Sequence, residues 1–160
     1  MQPDSTDIKI LSSLQACGRM SNVKLSTKVH LSKSACHFRT TRLEEHGFIK
    51  RYRAEVDINR LLQLDTVIVE VTLASHGADV VTHFEKKIST VPEIVECLAI
   101  GGGFDYLLKF VTTNISHYQE VFDQLIKPDI GIDKYFSYIV TRSIKNCSDY
   151  PIEHLLKRQC

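Results

Sequence analysis

Two groups of residues in this 160-residue chain have types and spacings that suit chemistry. The first lies between positions 32 and 53. Ser34, Phe38, Thr41 and Arg42 fall on one side of a helix at 100° per residue, with Ser32, Lys33 and His37 beside them at its start and flank. Lys50, Arg51 and Arg53 then place three cations within four residues. Hydroxyls and cations of this kind bond phosphate oxygens and base edges, and an exposed phenyl ring suits a thymine methyl, so the chemistry is recognition of double-stranded DNA. Phe38 could instead fold back against the basic stretch. Arg39, on the flank of the buried side, could anchor the fold through a carboxylate or reach a phosphate. The second group is Ile100-Gly101-Gly102-Gly103-Phe104-Asp105-Tyr106. Bare glycines expose main-chain N–H groups to a small ligand's anionic end, and Asp105 could meet an ammonium group. The same run could be a plain hairpin turn using positive φ. It lacks the Gly-Lys-Ser/Thr ending of a nucleotide phosphate loop and joins two strands rather than a strand and a helix. Tyr138 and Val140, in the stretch Tyr138–Thr141, are a second candidate wall for that ligand.

Other chemistries find no residues to carry them. The five cysteines (Cys17, Cys36, Cys97, Cys147, Cys160) form no C-x-x-C pair, and the seven histidines show no metal spacing. The histidines are expected at the surface or in packing, and no metal, cofactor or catalytic set is expected. No apolar run approaches the roughly 20 residues that span a bilayer, and no secretory signal is visible. Reduced thiols in a cytoplasm are the expectation. Charge is split along the chain. Residues 1–53 hold ten Lys/Arg against four Asp/Glu, whereas residues 54–160 hold ten against fifteen. A basic head on an acidic body fits a nucleic-acid-binding part joined to something else.

The elements that must position these groups follow from caps and periodicity. Asp4, Ser21 and Ser32 each precede a helical pattern, and Gly18 and Gly47 stand where the first and third helices stop. The second of these helices is expected to bury Val23, Leu25 and Val29, and the third to turn Cys36, Thr40 and Leu43 inward. A basic hairpin, or wing, is expected after it. Beyond a connector, strands are expected at 66–74, 94–100, 106–113 and 132–144, with helices at 78–90 and 116–127, the last ended by Pro128. Val67, Val69, Val71 and Leu73 alternate along one sheet face. The order β-α-β-β-α-β is the split βαβ, or ferredoxin-like, arrangement, with two helices on one face and the other left open for a partner. The fold class is therefore α+β: a winged helix-turn-helix at 1–53, a linker at 54–63, a ferredoxin-like domain at 64–144 and a tail at 145–160.

These features together resemble the leucine-responsive regulator/AsnC (Lrp/AsnC) family. The resemblance rests on DIKILSSLQACGRMSNVKLS, on LSKSACHFRTTRLEEHGFIKRYRAEVD, and on GGFDYLLK with its Gly-x-x-Asp-Tyr signature from Gly102 to Tyr106. It implies a transcription regulator that forms homodimers through its sheet domain, assembles further to an octamer, and binds an amino acid or similar small effector near the Gly-x-x-Asp loop. His30 stands where the family has glycine in the turn between the second and third helices. Thr40 replaces a buried aliphatic residue, Lys33 and Ala35 replace prolines, Gly101 replaces a hydroxyl residue and Gly103 an acidic one. Two other readings differ in class. One is a tetrapyrrole (haem precursor) decarboxylase of the same fold, for which no His-Asn-Tyr segment is present. The other is a ligand-binding interaction protein without DNA binding.

Overall fold

The computed structural model describes residues 1–127, 129–145 and 149–158. Pro128, Cys147 and Cys160 lie outside the described residues. The chain divides into two compact units, one of residues 1–56 with the C-terminal stretch from 145, the other of residues 57–144.

The first unit is built on three capped helices. Helix α1 (Ser5–Ala16) opens on Asp4, whose carboxylate accepts the N–H groups of Thr6 and Asp7, while the Asp7 side chain accepts the Asp4 N–H. This is a reciprocal capping box. Ser21 and Ser32 cap α2 (Asn22–Lys28) and α3 (Lys33–Glu45) through their hydroxyls. Ile10, Leu14, Leu25, Val29, Cys36 and Leu43 form the core, as their spacing requires, but Val23 is exposed. It sits in the first turn of α2, one side away from Leu25. Thr40 keeps its core-flanking place by donating its hydroxyl to the Cys36 carbonyl at 3.0 Å. His30 adopts φ 57°, so the turn keeps the left-handed backbone despite losing glycine. Gly47 ends α3 at φ 73°. The expected hairpin is absent: among the described residues, 50–57 carry no strand pairing. Phe48, Tyr52 and Val56 do not alternate against a partner strand. The expected separate tail is also corrected. Its short helix α6 (Ile152–Leu156) belongs to this unit, where Gln15 Nε2 donates to the Tyr150 carbonyl at 2.7 Å.

The second unit begins with a 3-10 turn at Ile58–Arg60. The rest is β1 (Asp65–Leu73), α4 (Ala78–Ile88), β2 (Ile94–Ala99), β3 (Tyr106–Thr112), α5 (Ile115–Ile126) and β4 (Ile132–Ile139). The four strands form one antiparallel sheet in the order β2-β3-β1-β4. This is the ferredoxin-like order expected. Strand β4 stops at Ile139, five residues short of the expected end, and 140–144 carry no strand pairing beyond the Val140 N–H bond to the Thr66 carbonyl. Val67, Val69, Val71 and Leu73 are buried with Leu108 and Phe110 against Phe84, Tyr118 and Phe122 of the helices. The uncovered face is the opposite one. It carries Ile68, Leu107 and Phe136, with Leu98 and Tyr138 about half exposed.

Candidate functional site

In the first unit, α3 presents its N-terminal half to solvent. Ser32, Lys33, Ser34, His37 and Phe38 are all exposed, and Phe38 keeps 66% of its surface. Phe38 does not fold back. The Arg42 guanidinium stands 6.0 Å from its ring centre, a cation–π distance. Thr41 and Arg42 are half-buried. Helical phase puts Arg42 on the outward side, but its length lets it reach back, and Nη2 bonds the buried Asp7 carboxylate at 3.1 Å.

Asp7 is the organising charge of this unit. It is fully buried and also takes Arg39 Nη1 at 2.8 Å, while the same nitrogen reaches Asp4 at 2.7 Å. The hydrogen bonds that Arg39 donates to Asp4 and then to Asp7 hold its guanidinium above its ordinary range. The Asp7 backbone N–H and then Arg39 hold Asp4 below the usual carboxylate range. Arg39 is thus an anchor for α1 on α3. Tyr52 is pinned too: its hydroxyl donates to Glu44 at 2.6 Å, and burial followed by that carboxylate pushes its pKa to about 12.

The three cations after α3 do not gather on its outer side. Arg51 and Arg53 border a cleft of about 660 Å³ beside the end of α1, with Gln15, Gly18, Glu55 and Asp149. Lys50 and Arg51 border a neighbouring one of about 240 Å³ with Leu11, Ile49 and Ile152. The extended, unpaired course of 50–55 along α1 places them there.

In the second unit the loop Ile100–Asp105 closes with the Ile100 N–H on the Asp105 carbonyl at 2.8 Å, and the Asp105 N–H binds the Val71 carbonyl at 2.9 Å. Gly101, Gly102 and Gly103 are exposed, and none has positive φ, so the run joins the antiparallel β2 and β3 without the left-handed backbone expected of a glycine turn. Among the described residues, the N–H groups of Gly101 to Phe104 have no hydrogen-bond partner. A Cβ at Gly101 or Gly103 would meet nothing within 4 Å. Nothing inside the chain demands glycine at either position.

Asp105 differs from its expected role. One carboxylate oxygen accepts the Leu73 N–H at 2.7 Å and the other meets His76 Nε2 at 2.8 Å. These bonds, Leu73 first, hold its pKa below the usual carboxylate range. Tyr106 turns inward. It is buried under α4, packs on Phe84 at 4.7 Å between ring centres, and donates to Glu85 at 2.8 Å. Burial and that carboxylate raise its pKa to about 12. Tyr138 and Val140 are not brought to the loop. Val140 pairs with Thr66 and Tyr138 with Ile68, whereas Asp105 meets Val71. Five residues of β1 at about 3.3 Å each put the Val140 end about 16 Å from the loop. His76 is the residue that sequence reasoning missed. It had only its place before the helix-opening Gly77 to mark it, because its partner lies 29 positions away.

The comparisons with known proteins agree with this two-unit layout. Residues 3–50 match the winged helix-turn-helix DNA-binding model, and residues 66–149 match the Lrp/AsnC ligand binding domain. The chain is 40% identical over 148 residues to the transcriptional regulatory protein DoeX of Halomonas elongata, covering 92% of this chain and 94% of that one. It is 38% identical to the leucine-responsive regulatory protein of Haemophilus influenzae, covering 89% and 86%. A transcriptional regulator of Neisseria meningitidis solved as a complex with L-Met superimposes with a TM-score of 0.88 at 30% identity, over 96% of this chain and 99% of that one. An AsnC family regulator of Agrobacterium tumefaciens gives 0.89 at 31%, over 96% and 99%. With the ligand-binding model matched over residues 66–149 and a curated relative 40% identical over 92% of the chain, the chain belongs to the Lrp/AsnC family.

Proposed function

We propose that this protein is a transcription regulator that binds double-stranded DNA through its first unit and an amino acid or similar small effector through its second. The carrying observation is the outer side of α3. A helix whose inner side is fully committed to the core holds a 66% exposed phenyl ring beside hydroxyls, with no acidic residue in its first turn. Apart from Arg42, which reaches back to Asp7, the residues of that side are free of the core. In the proposed complex α3 enters the major groove with Ser34, Phe38 and Thr41 toward base edges. Ser32, Lys33 and His37 supply phosphate contacts that set the register, and Lys50, Arg51 and Arg53, beside α1 rather than on the outer side of α3, are proposed to meet phosphates farther along the duplex. Arg42 has a double duty, tied to Asp7 and shielding the Phe38 ring. The effector reading is supported by Ile100–Asp105, where unpaired N–H groups and glycines without an internal reason leave room for an outside anion.

Two further parts of the reading concern assembly and place. The uncovered sheet face, with Ile68, Leu98, Leu107, Phe136 and Tyr138, is proposed to pair with a second copy, giving a dimer that builds an octamer. No helix among the described residues is long and apolar enough to cross a membrane. We propose a cytoplasmic regulator without enzymatic activity.

DNA retention tests the reading. Replacing Lys50 and Arg51 with Ala should weaken binding on all sequences alike and reduce the salt slope by about 1 per lost phosphate contact. Phe38→Ala should shift preference between sites by about 1–3 kcal/mol at one base pair. A double variant with unchanged affinity and slope would refute the docking. Light scattering of the full chain showing a monomer at micromolar concentration would refute the sheet-face pairing.

A further inference from the structure

Resting on the reading of the glycine loop as the effector site, we infer that His76, held by Asp105, receives the effector's ammonium group and restricts effectors to molecules with a free amino group. The geometry begins with Asp105. Its two oxygens are engaged by the Leu73 N–H and by His76, and 22% of its side chain is exposed. The imidazole covers the carboxylate from outside and is itself 72% exposed. A ligand lying on the loop therefore meets His76 before Asp105.

The pair also decides which way the imidazole presents its atoms. The Asp105 carboxyl is held ionised by its bonds, so it can only accept, and Nε2–H of His76 donates to it. When the ring is neutral its lone pair is then on Nδ1, on the ring's other side. The carboxylate brings a negative charge to the site, and among the described residues Nδ1 of His76 has no hydrogen-bond partner. An ammonium group supplies the complementary charge and donor. The neighbouring element adds the same sign. Asp79 opens α4 and leans over the turn, since a Cβ at Gly77 would stand 2.8 Å from its Oδ1. Among the described residues no Lys or Arg ion-pairs with Asp105 or Asp79. The unpaired N–H groups of Gly101 to Phe104 lie on the same short loop and suit the effector's carboxylate. One end of an α-amino acid is thus met by main chain and the other by an imidazole.

Calorimetry on the full chain with the twenty amino acids selects the tightest binder. That amino acid and its N-acetyl derivative, which lacks the ammonium charge, are then titrated into wild type, His76→Leu, His76→Gln and Gly102→Val, each checked for a native circular dichroism melt. N-acetylation should cost the wild type about tenfold or more in affinity. His76→Leu should cost about as much, and the two losses should not add, because they remove the same contact. His76→Gln keeps a donor for Asp105 and an outward acceptor, and should recover binding to within about threefold of wild type. Additive losses, or wild-type affinity in His76→Leu, overturn the assignment. If Gly102→Val loses binding while His76→Leu does not, the loop holds the effector and His76 does not read it. If both variants bind as wild type does, or no amino acid binds, the loop reading falls as well.

Discussion

Asp7 and Asp105 solve the same problem in the two units with different partners. Each carboxylate has both oxygens engaged and ties together segments far apart in sequence. Asp7 is fully buried between two guanidiniums, which stay charged at any pH the protein meets. Asp105 is partly exposed and shared between a backbone N–H and an imidazole that is itself mostly in solvent. The first arrangement suits a unit that must present α3 in one geometry. The second suits a loop that must respond. Rigidity in the head and adjustability in the sheet unit are thus written in the choice of Arg against His as counterpart.

The comparison breaks first at Asp7. Asp7→Ala leaves Arg39 and Arg42 without their shared partner and removes half of the capping box. Loss of one partner of a buried ion pair costs about 3–5 kcal/mol. The lower end, about 3 kcal/mol, is expected, because the Arg39 and Arg42 side chains keep 27% and 35% of their surface in water. A urea titration followed by circular dichroism measures it, and DNA retention should fall with the folded head. A loss below about 1 kcal/mol would mean that the guanidiniums do not depend on Asp7.

Asp105→Ala should cost less. It removes the acceptor for the Leu73 N–H and for His76, and hydrogen bonds to charged groups contribute about 1.5–3 kcal/mol. With both partners at the rim of the sheet, where water can replace the carboxylate, about 2 kcal/mol or less is expected. Hydrogen exchange at the Leu73 amide reports it directly: protection there should drop while that of Val69 is retained. Equal loss at both amides would show that Asp105 supports the whole sheet rather than the loop.

Much of this was legible in sequence because it is local. Asp4, Ser21 and Ser32 announce their helices one residue ahead, and the alternation through Val67, Val69, Val71 and Leu73 marks a strand with one covered face. What escaped depends on reach or on distance along the chain. Arg42 has an outward Cβ and an inward guanidinium, which phase alone cannot tell. The basic run 50–53 reads as a hairpin by its charge, yet no partner strand is supplied. Tyr138 and Val140 belong to the same sheet as the glycine loop, but antiparallel register carries them to its far end. The His76–Asp105 pair and the return of 149–158 to the head join residues that no local pattern connects.

The smallest effect separates the two carboxylates that hold Asp7 and His76 in place. Asp4 caps α1 and takes Arg39 at 2.7 Å, but its side chain is 51% exposed. Replacing such a cap with Ala costs about 1 kcal/mol. Its dependence on pH has a definite sign. Asp4 and Asp105 are both held below the usual carboxylate range in the folded protein, so the folded state releases their protons more readily than the unfolded state does. Their stabilisation is complete above about pH 5 and is lost as pH falls through 3.8 toward the lower folded values. Urea midpoints of the wild type should therefore hold level from about pH 7 to pH 5 as far as these two groups are concerned, and decline below about pH 4. Asp4→Ala should start lower and decline less steeply in acid, because one of the two protonation sites is gone. Asp105→Ala should flatten the same limb. A wild-type acid limb that neither substitution changes would place the acid sensitivity elsewhere, and would remove Asp4 and Asp105 as matched locks of the two units.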